Sequence, residues 1–96
     1  MNRFKVIFHM DKITKIGDEL TNISNLINDF GMENLEIKMS VKGDAVKAFM
    51  RNTSEFGPLI KDLAEKKVEF SVCAIAMSDL KIEVKDLLDF VIVDSS

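Results

Sequence analysis

Tryptophan and tyrosine are absent from this chain, and cysteine, histidine and proline occur once each. One cysteine forbids an internal disulfide and any site built from several thiolates. One histidine forbids a pair of imidazole ligands, so no metal centre is expected. Without Trp or Tyr, platforms for stacking nucleic-acid bases would fall to the seven Phe, which sit inside core-like apolar patterns. Glycine is scarce, at four residues. The segment Asp11-Lys12-Ile13-Thr14-Lys15-Ile16-Gly17 contains neither GxGxxG nor GK[ST], so no nucleotide or other cofactor is expected there. A surplus of positive charge is also missing. Thirteen basic against sixteen acidic residues leave a net charge of -3, which gives no electrostatic footprint for nucleic acid or an anionic membrane. No apolar run approaches the roughly 20 residues that span a bilayer. The opening Met1-Asn2-Arg3-Phe4-Lys5-Val6-Ile7-Phe8 enters a strand-like run with no signal-peptide plan, so a cytoplasmic location is expected.

What is present is ordinary for a globular chain: 96 residues, 47% hydrophobic and 30% charged. That length holds one domain, expected over residues 1–96. Phe4 to Met10 is nearly continuous apolar and rich in strand formers, and reads as a strand buried on both faces. Ile16, Leu20, Ile23, Ile27 and Phe30 recur at helical spacing, with Gly31 as the stop. Leu35 to Lys42 alternates strictly, which predicts a strand with one polar face, placed nearer a sheet edge. Asp44 is the expected N-cap of a short helix that buries Ala45, Val46, Phe49 and Met50. Asn52-Thr53-Ser54 should break that helix. Gly57-Pro58 should start the next, because proline at the first helical position sacrifices no hydrogen bond. That helix should turn Leu59, Ile60, Leu63 and Ala64 inward. Val68 to Cys73 is a third strand, Ala74 to Leu80 and Val84 to Leu88 are helical fragments, and Phe90 to Val93 is a fourth strand.

Strands alternating with helices imply an α/β fold whose sheet is parallel, with crossovers of one hand. Such sheets carry their functional loops beyond the carboxyl ends of the strands. Those ends fall at Met10-Asp11, Lys42-Gly43, Cys73-Ala74 and Val93-Asp94, which selects His9, Gly43 and Cys73 as candidate neighbours.

Five stretches in this order resemble the small DsrE/DsrF-like proteins. They are the strand ending His9-Met10-Asp11 with the helix bearing Asn22-Ile23-Ser24-Asn25-Leu26-Ile27, then Val41-Lys42-Gly43-Asp44-Ala45-Val46, Leu63-Ala64, Val68-Glu69-Phe70-Ser71-Val72-Cys73, and Asp86-Leu87-Leu88-Asp89-Phe90-Val91. The similarity runs over residues 4 to 94. It implies a three-layer α/β sandwich with a mainly parallel four-stranded sheet, related to flavodoxin-like sheets. It also implies assembly into trimers or hexamers. In some members it implies sulfur relay, in which a strand-end cysteine carries persulfide sulfur between a donor and an acceptor protein. Cys73 occupies that position.

Two readings of Cys73 stand side by side. A thiol at the mouth of a helix is favoured as thiolate or persulfide anion. A lone cysteine in a cytosolic domain is otherwise a small buried hydrophobe. If the loops converge, His9, Asp11, Lys12, Gly43 and Ala74 line the same site, with Lys12, Lys42 or His9 adding positive charge. His9 has no Ser or Asp partner in a motif, so a catalytic triad has little support. Asn22 and Asn25, poor helix formers, either reach a loop or a neighbouring subunit or stand in water. A thin core leaves apolar surface at Phe49, Met50, Ile75 and Met77, which a homo-oligomer would cover. The chemistry expected is that of a carrier more than of a turnover enzyme. The alternative is an oligomeric interaction subunit with Cys73 as packing.

Overall fold

The computed structural model describes residues 3–51 and 55–94. Four strands, β1 (Phe4–Met10), β2 (Leu35–Val41), β3 (Glu69–Cys73) and β4 (Ile92–Asp94), form one sheet in the order β1-β2-β3-β4. Every neighbouring pair is parallel. The helices α1 (Ile16–Phe30), α2 (Gly57–Glu65) and α3 (Ala74–Asp79) lie in the three crossovers, together with short 3-10 turns, of which Gly43–Phe49 is the longest. The α/β class, the parallel sheet and the strand count are as expected.

Strand order decides how the layers stack. A crossover of fixed hand that always steps in the same direction sets its helix on the same side of the sheet. The burial pattern agrees. Ile16, Leu20 and Ile23 of α1, Ile60 and Leu63 of α2, and Ala76 and Met77 of α3 share one core with Leu35, Ile37, Met39, Val41, Phe70 and Val72. Among the described residues, helices therefore cover one face of the sheet, two layers where the resemblance implied three, because strands in chain order return every crossover to the same side. The other face presents Lys5, Ile7 and His9 from β1, Glu36, Lys38 and Ser40 from β2, Glu69, Ser71 and Cys73 from β3, and Ile92 and Asp94 from β4.

That open face corrects two strand readings. The first strand is not buried on both faces: it is an edge strand, with Ile7 51% exposed and Phe4 69% exposed. β2 alternates although it lies inside the sheet, because one of its faces packs on helices while the other looks outward. Alternation reported an uncovered face and not an edge.

Local signals fare better. α1 begins and ends at the expected residues, and the Gly31 N–H closes it by donating to the Ile27 carbonyl at 2.8 Å. The last residue of its stripe, Phe30, is 54% exposed. α2 opens with Pro58 in its first turn and buries Ile60 and Leu63, while Leu59 and Ala64 are half-buried. α2 ends in a paired closure: Val68 N–H donates to Leu63 O at 3.1 Å and Lys67 N–H to Ala64 O at 3.0 Å. Lys67 holds the left-handed position of that closure, φ 78°, where glycine is the usual residue. Asn52, Thr53 and Ser54 lie outside the described residues. Asp44 does not cap its own turn. Its Oδ1 instead accepts from the Ile13 N–H at 2.8 Å, tying the loop after β1 to the turn after β2. Of the apolar residues expected to remain available, Phe49 and Met77 are buried and Met50 is half-buried, while Ile75 is 62% exposed.

Two substitutions test this account of the fold. Gly43 has φ +58°, and a Cβ there would stand 2.6 Å from the Asp11 carbonyl oxygen. Gly43→Ala combines left-handed backbone cost with that collision and should destabilise by about 2 kcal/mol or more, read by urea denaturation. Phe49 is fully buried with its ring 5.5 Å from that of Phe70. Phe49→Ala should cost about 3–5 kcal/mol in the same measurement.

Candidate functional site

The carboxyl ends of β1 and β2 are drawn into one rim by three short links. Lys42 N–H donates to the Met10 carbonyl at 2.9 Å, Asp44 takes the Ile13 N–H, and Gly43 packs against the Asp11 carbonyl. Only glycine admits that last approach, since any side chain would meet backbone. The turn after β2 is thereby fixed beside the loop after β1.

β3 delivers Cys73 to this rim. The residue is the last of its strand and the N-cap of α3, with an extended backbone (φ -70°, ψ 124°). It is half-buried. It borders a cleft of about 300 Å³ together with Lys42, Gly43 and Asp44 from the β2 turn and Ile75, Ala76, Asp79 and Leu80 from α3 and its end. One cation and two carboxylates therefore surround a largely apolar opening.

The candidates from the sequence divide into three groups. Gly43 and Cys73 meet in the cleft, and Ala74 is the first residue of α3 beside them. Asp11 and Lys12 stand behind the rim: Asp11 touches Gly43 through its backbone, and the Lys12 carbonyl accepts from Lys15 N–H at 3.0 Å. Neither side chain borders the cleft, whereas Lys42, also considered as a source of positive charge, does. His9 is apart from it. Through Ser40 it is level with Ser71, two strands away and two residues short of Cys73. Strand spacing and rise put the two Cα positions about 12 Å apart, beyond hydrogen-bond reach. Asn22 and Asn25 are exposed, and Asn22 donates only weakly to Glu19, at 3.5 Å.

Three neighbours of the thiol were not singled out from sequence. Asp94 of β4 is the register partner of Cys73 and shares its face. Ser71, two residues earlier, is buried on that same face with an Oγ that has no hydrogen-bond partner among the described residues. Asp79 reaches the cleft from the end of α3. Register made the first neighbour, and no local pattern carries register; the second follows from the alternation of β3. Among the described residues no group of His, Cys, Asp and Glu is arranged to hold a metal ion, and no helix is long and apolar enough to cross a membrane.

The chain is similar in structure to MTH1491 of Methanobacterium thermoautotrophicum, a protein of unknown function. The TM-score is 0.88 at 26% identity, over 97% of this chain and 83% of that one. It is also similar to the YchN protein of E. coli, with a TM-score of 0.78 at 17% identity over 99% of this chain and 86% of that one, a likeness of fold alone. Among curated proteins none matches at a significant level. The model of the DsrE/DsrF-like family matches residues 4–96. With nearly its whole length matched in this way, the chain belongs to the DsrE/DsrF-like family.

Proposed function

We propose that this protein is a sulfur carrier in which Cys73 accepts and passes on persulfide sulfur. Membership of the family suggests a role related to sulfur relay. The observation that supports the finer reading is the position of Cys73: half-buried, at the end of β3, on a cleft it shares with the Gly43 turn and Lys42. A thiol buried in the core would be out of reach of a partner, and a thiol fully in water would lose its sulfur to other thiols. A half-covered one at a rim can meet one partner at a time.

The transfer balances without an external oxidant or reductant. The Cys73 thiolate donates an electron pair to the outer sulfur of a donor persulfide, R–S–SH. The donor S–S bond breaks, its bonding pair leaves with R–S⁻, and the new S–S bond joins Cys73 to the transferred sulfur. The proton of the outer S–H and that of the Cys73 thiol exchange with water or with the departing thiolate. Delivery to an acceptor thiol is the reverse step with a different partner. Lys42, Asp44 and Asp79 are the charged side chains that a partner would meet at the cleft. Incubation with glutathione persulfide should add about 32 Da to the protein at Cys73, removable by excess thiol and absent from Cys73→Ser. No mass gain under conditions that load a control persulfide carrier would overturn the proposal.

A second observation favours assembly, the surface on which the interaction-subunit alternative rests. Phe4 (69% exposed) and Phe30 (54% exposed) flank an apolar cleft of about 280 Å³ with Val6, Leu26 and Leu35, at the free edge of β1. Large aromatic surface of this kind marks contact sites. We expect a homo-oligomer, a trimer or hexamer, by light scattering at micromolar concentration. Phe4→Lys with Phe30→Lys should reduce its mass. A monomeric wild-type chain would remove the oligomer.

A further inference from the structure

The sheet carries another cleft at the opposite end from Cys73, on its open face. Its volume is about 430 Å³, within the range of small-molecule sites. Four cations border it, Arg3, Lys5, Lys38 and Lys67, against two carboxylates, Glu36 and Glu69. The carboxylates are already matched by strand register. Lys5 pairs with Glu36 at 4.0 Å, and Lys38 with Glu69 at 3.5 Å. Among the described residues no carboxylate lies within ion-pair distance of Arg3 or Lys67. A chain of net charge -3 thus gathers a local surplus of two positive charges in one concavity.

The two unmatched cations are placed to act together. Arg3 precedes β1 and Lys67 lies just before β3, on either side of the start of β2. Two strand spacings and a stagger of two residues put their backbones about 12 Å apart, a gap that two long side chains can close over one ligand. Lys67 is there at a cost. It occupies the left-handed closing position of α2 that a glycine would fill without strain. The helix C-terminus attracts a cation, which is a structural reason for a lysine nearby, but that reason does not involve Arg3 or the cleft.

We propose that this cleft binds the phosphate group of a phosphate monoester. Such a group carries close to two negative charges at neutral pH, equal to the local surplus. The Arg3 guanidinium offers it a planar fork and Lys67 a point charge. Ile7, 51% exposed on the same face, lines the remainder and suits an apolar or aromatic ester group. The site is separate from Cys73 and does not depend on sulfur chemistry.

The probe is phenyl phosphate, titrated at constant ionic strength into the full-length ¹⁵N-labelled protein and followed by amide shifts. Saturable shifts are expected around Arg3, Lys5, Glu36, Lys38 and Glu69, with benzoate leaving the same amides unmoved. Arg3→Gln and Lys67→Gly should each weaken binding about tenfold or more. Lys67→Gly should unfold at the same temperature as the wild type or higher, so its loss of binding cannot come from loss of fold. Shifts that rise without saturation, an equal response to benzoate, or full affinity in Lys67→Gly would each overturn the proposal. If Lys67 serves only the end of α2, the last of these results follows.

Discussion

Four parallel strands laid side by side in chain order leave little freedom to the rest of the molecule. Each crossover has the same hand and steps the same way, so each helix returns to the same side. Apolar side chains on that side, from Ile16 and Leu20 through Met39 to Phe70 and Met77, condense into one core. The opposite face is left to charged, polar and isolated apolar groups. Both candidate sites follow from this single constraint. At the carboxyl ends the crossovers leave the sheet and form a rim around Cys73. At the amino ends the uncovered face lets Lys5–Glu36 and Lys38–Glu69 form rungs across the strands, leaving Arg3 and Lys67 over.

The rim holds its shape through backbone more than through side chains. Gly43 against the Asp11 carbonyl and Lys42 N–H on the Met10 carbonyl use main-chain atoms, and Asp44 adds one side-chain link to the Ile13 N–H. Main-chain links confine the turn without long flexible side chains, which lose more entropy on being ordered. A thiol at the end of a paired strand, facing a turn fixed in this way, is held on rigid elements as a transfer site requires. The surface ion pairs contribute little to stability by comparison, since both partners of each are well exposed. Their effect is to neutralise carboxylates that would otherwise cancel the cations beside them.

Much of the fold was legible because its signals are local. Helical spacing located Ile16 to Phe30, Gly57-Pro58 marked the start of α2, and the alternation of strands with helices implied a parallel sheet. Cys73 and Gly43 were legible as neighbours because strand ends in a parallel sheet share one side. The errors have one origin. The apolar run from Phe4 to Met10 and the alternating run from Leu35 to Val41 state which residues are apolar, not which strand has a neighbour on both sides. The alternating pattern belongs to the interior strand and the continuous one to the edge, the reverse of the usual association. His9 was grouped with Cys73 because both sit near strand ends, and the sheet order then put β2 between them.

The amino-acid sequence by itself determined the class of fold, the extents of its main elements and the presence of one thiol at a strand end. These depend on side-chain periodicity and on residues such as Gly31, Gly43 and Pro58, whose conformational preferences act within a few positions. Tertiary structure alone decided which face of the sheet stays open. It set Asp94 beside Cys73, gave Asp44 to the Ile13 N–H instead of its own turn, and brought Arg3 and Lys67 to one cleft with no carboxylate at ion-pair distance from either among the described residues. Each of those outcomes is a pairing between residues far apart in the chain. Register and strand order create such pairings only when the whole sheet has formed.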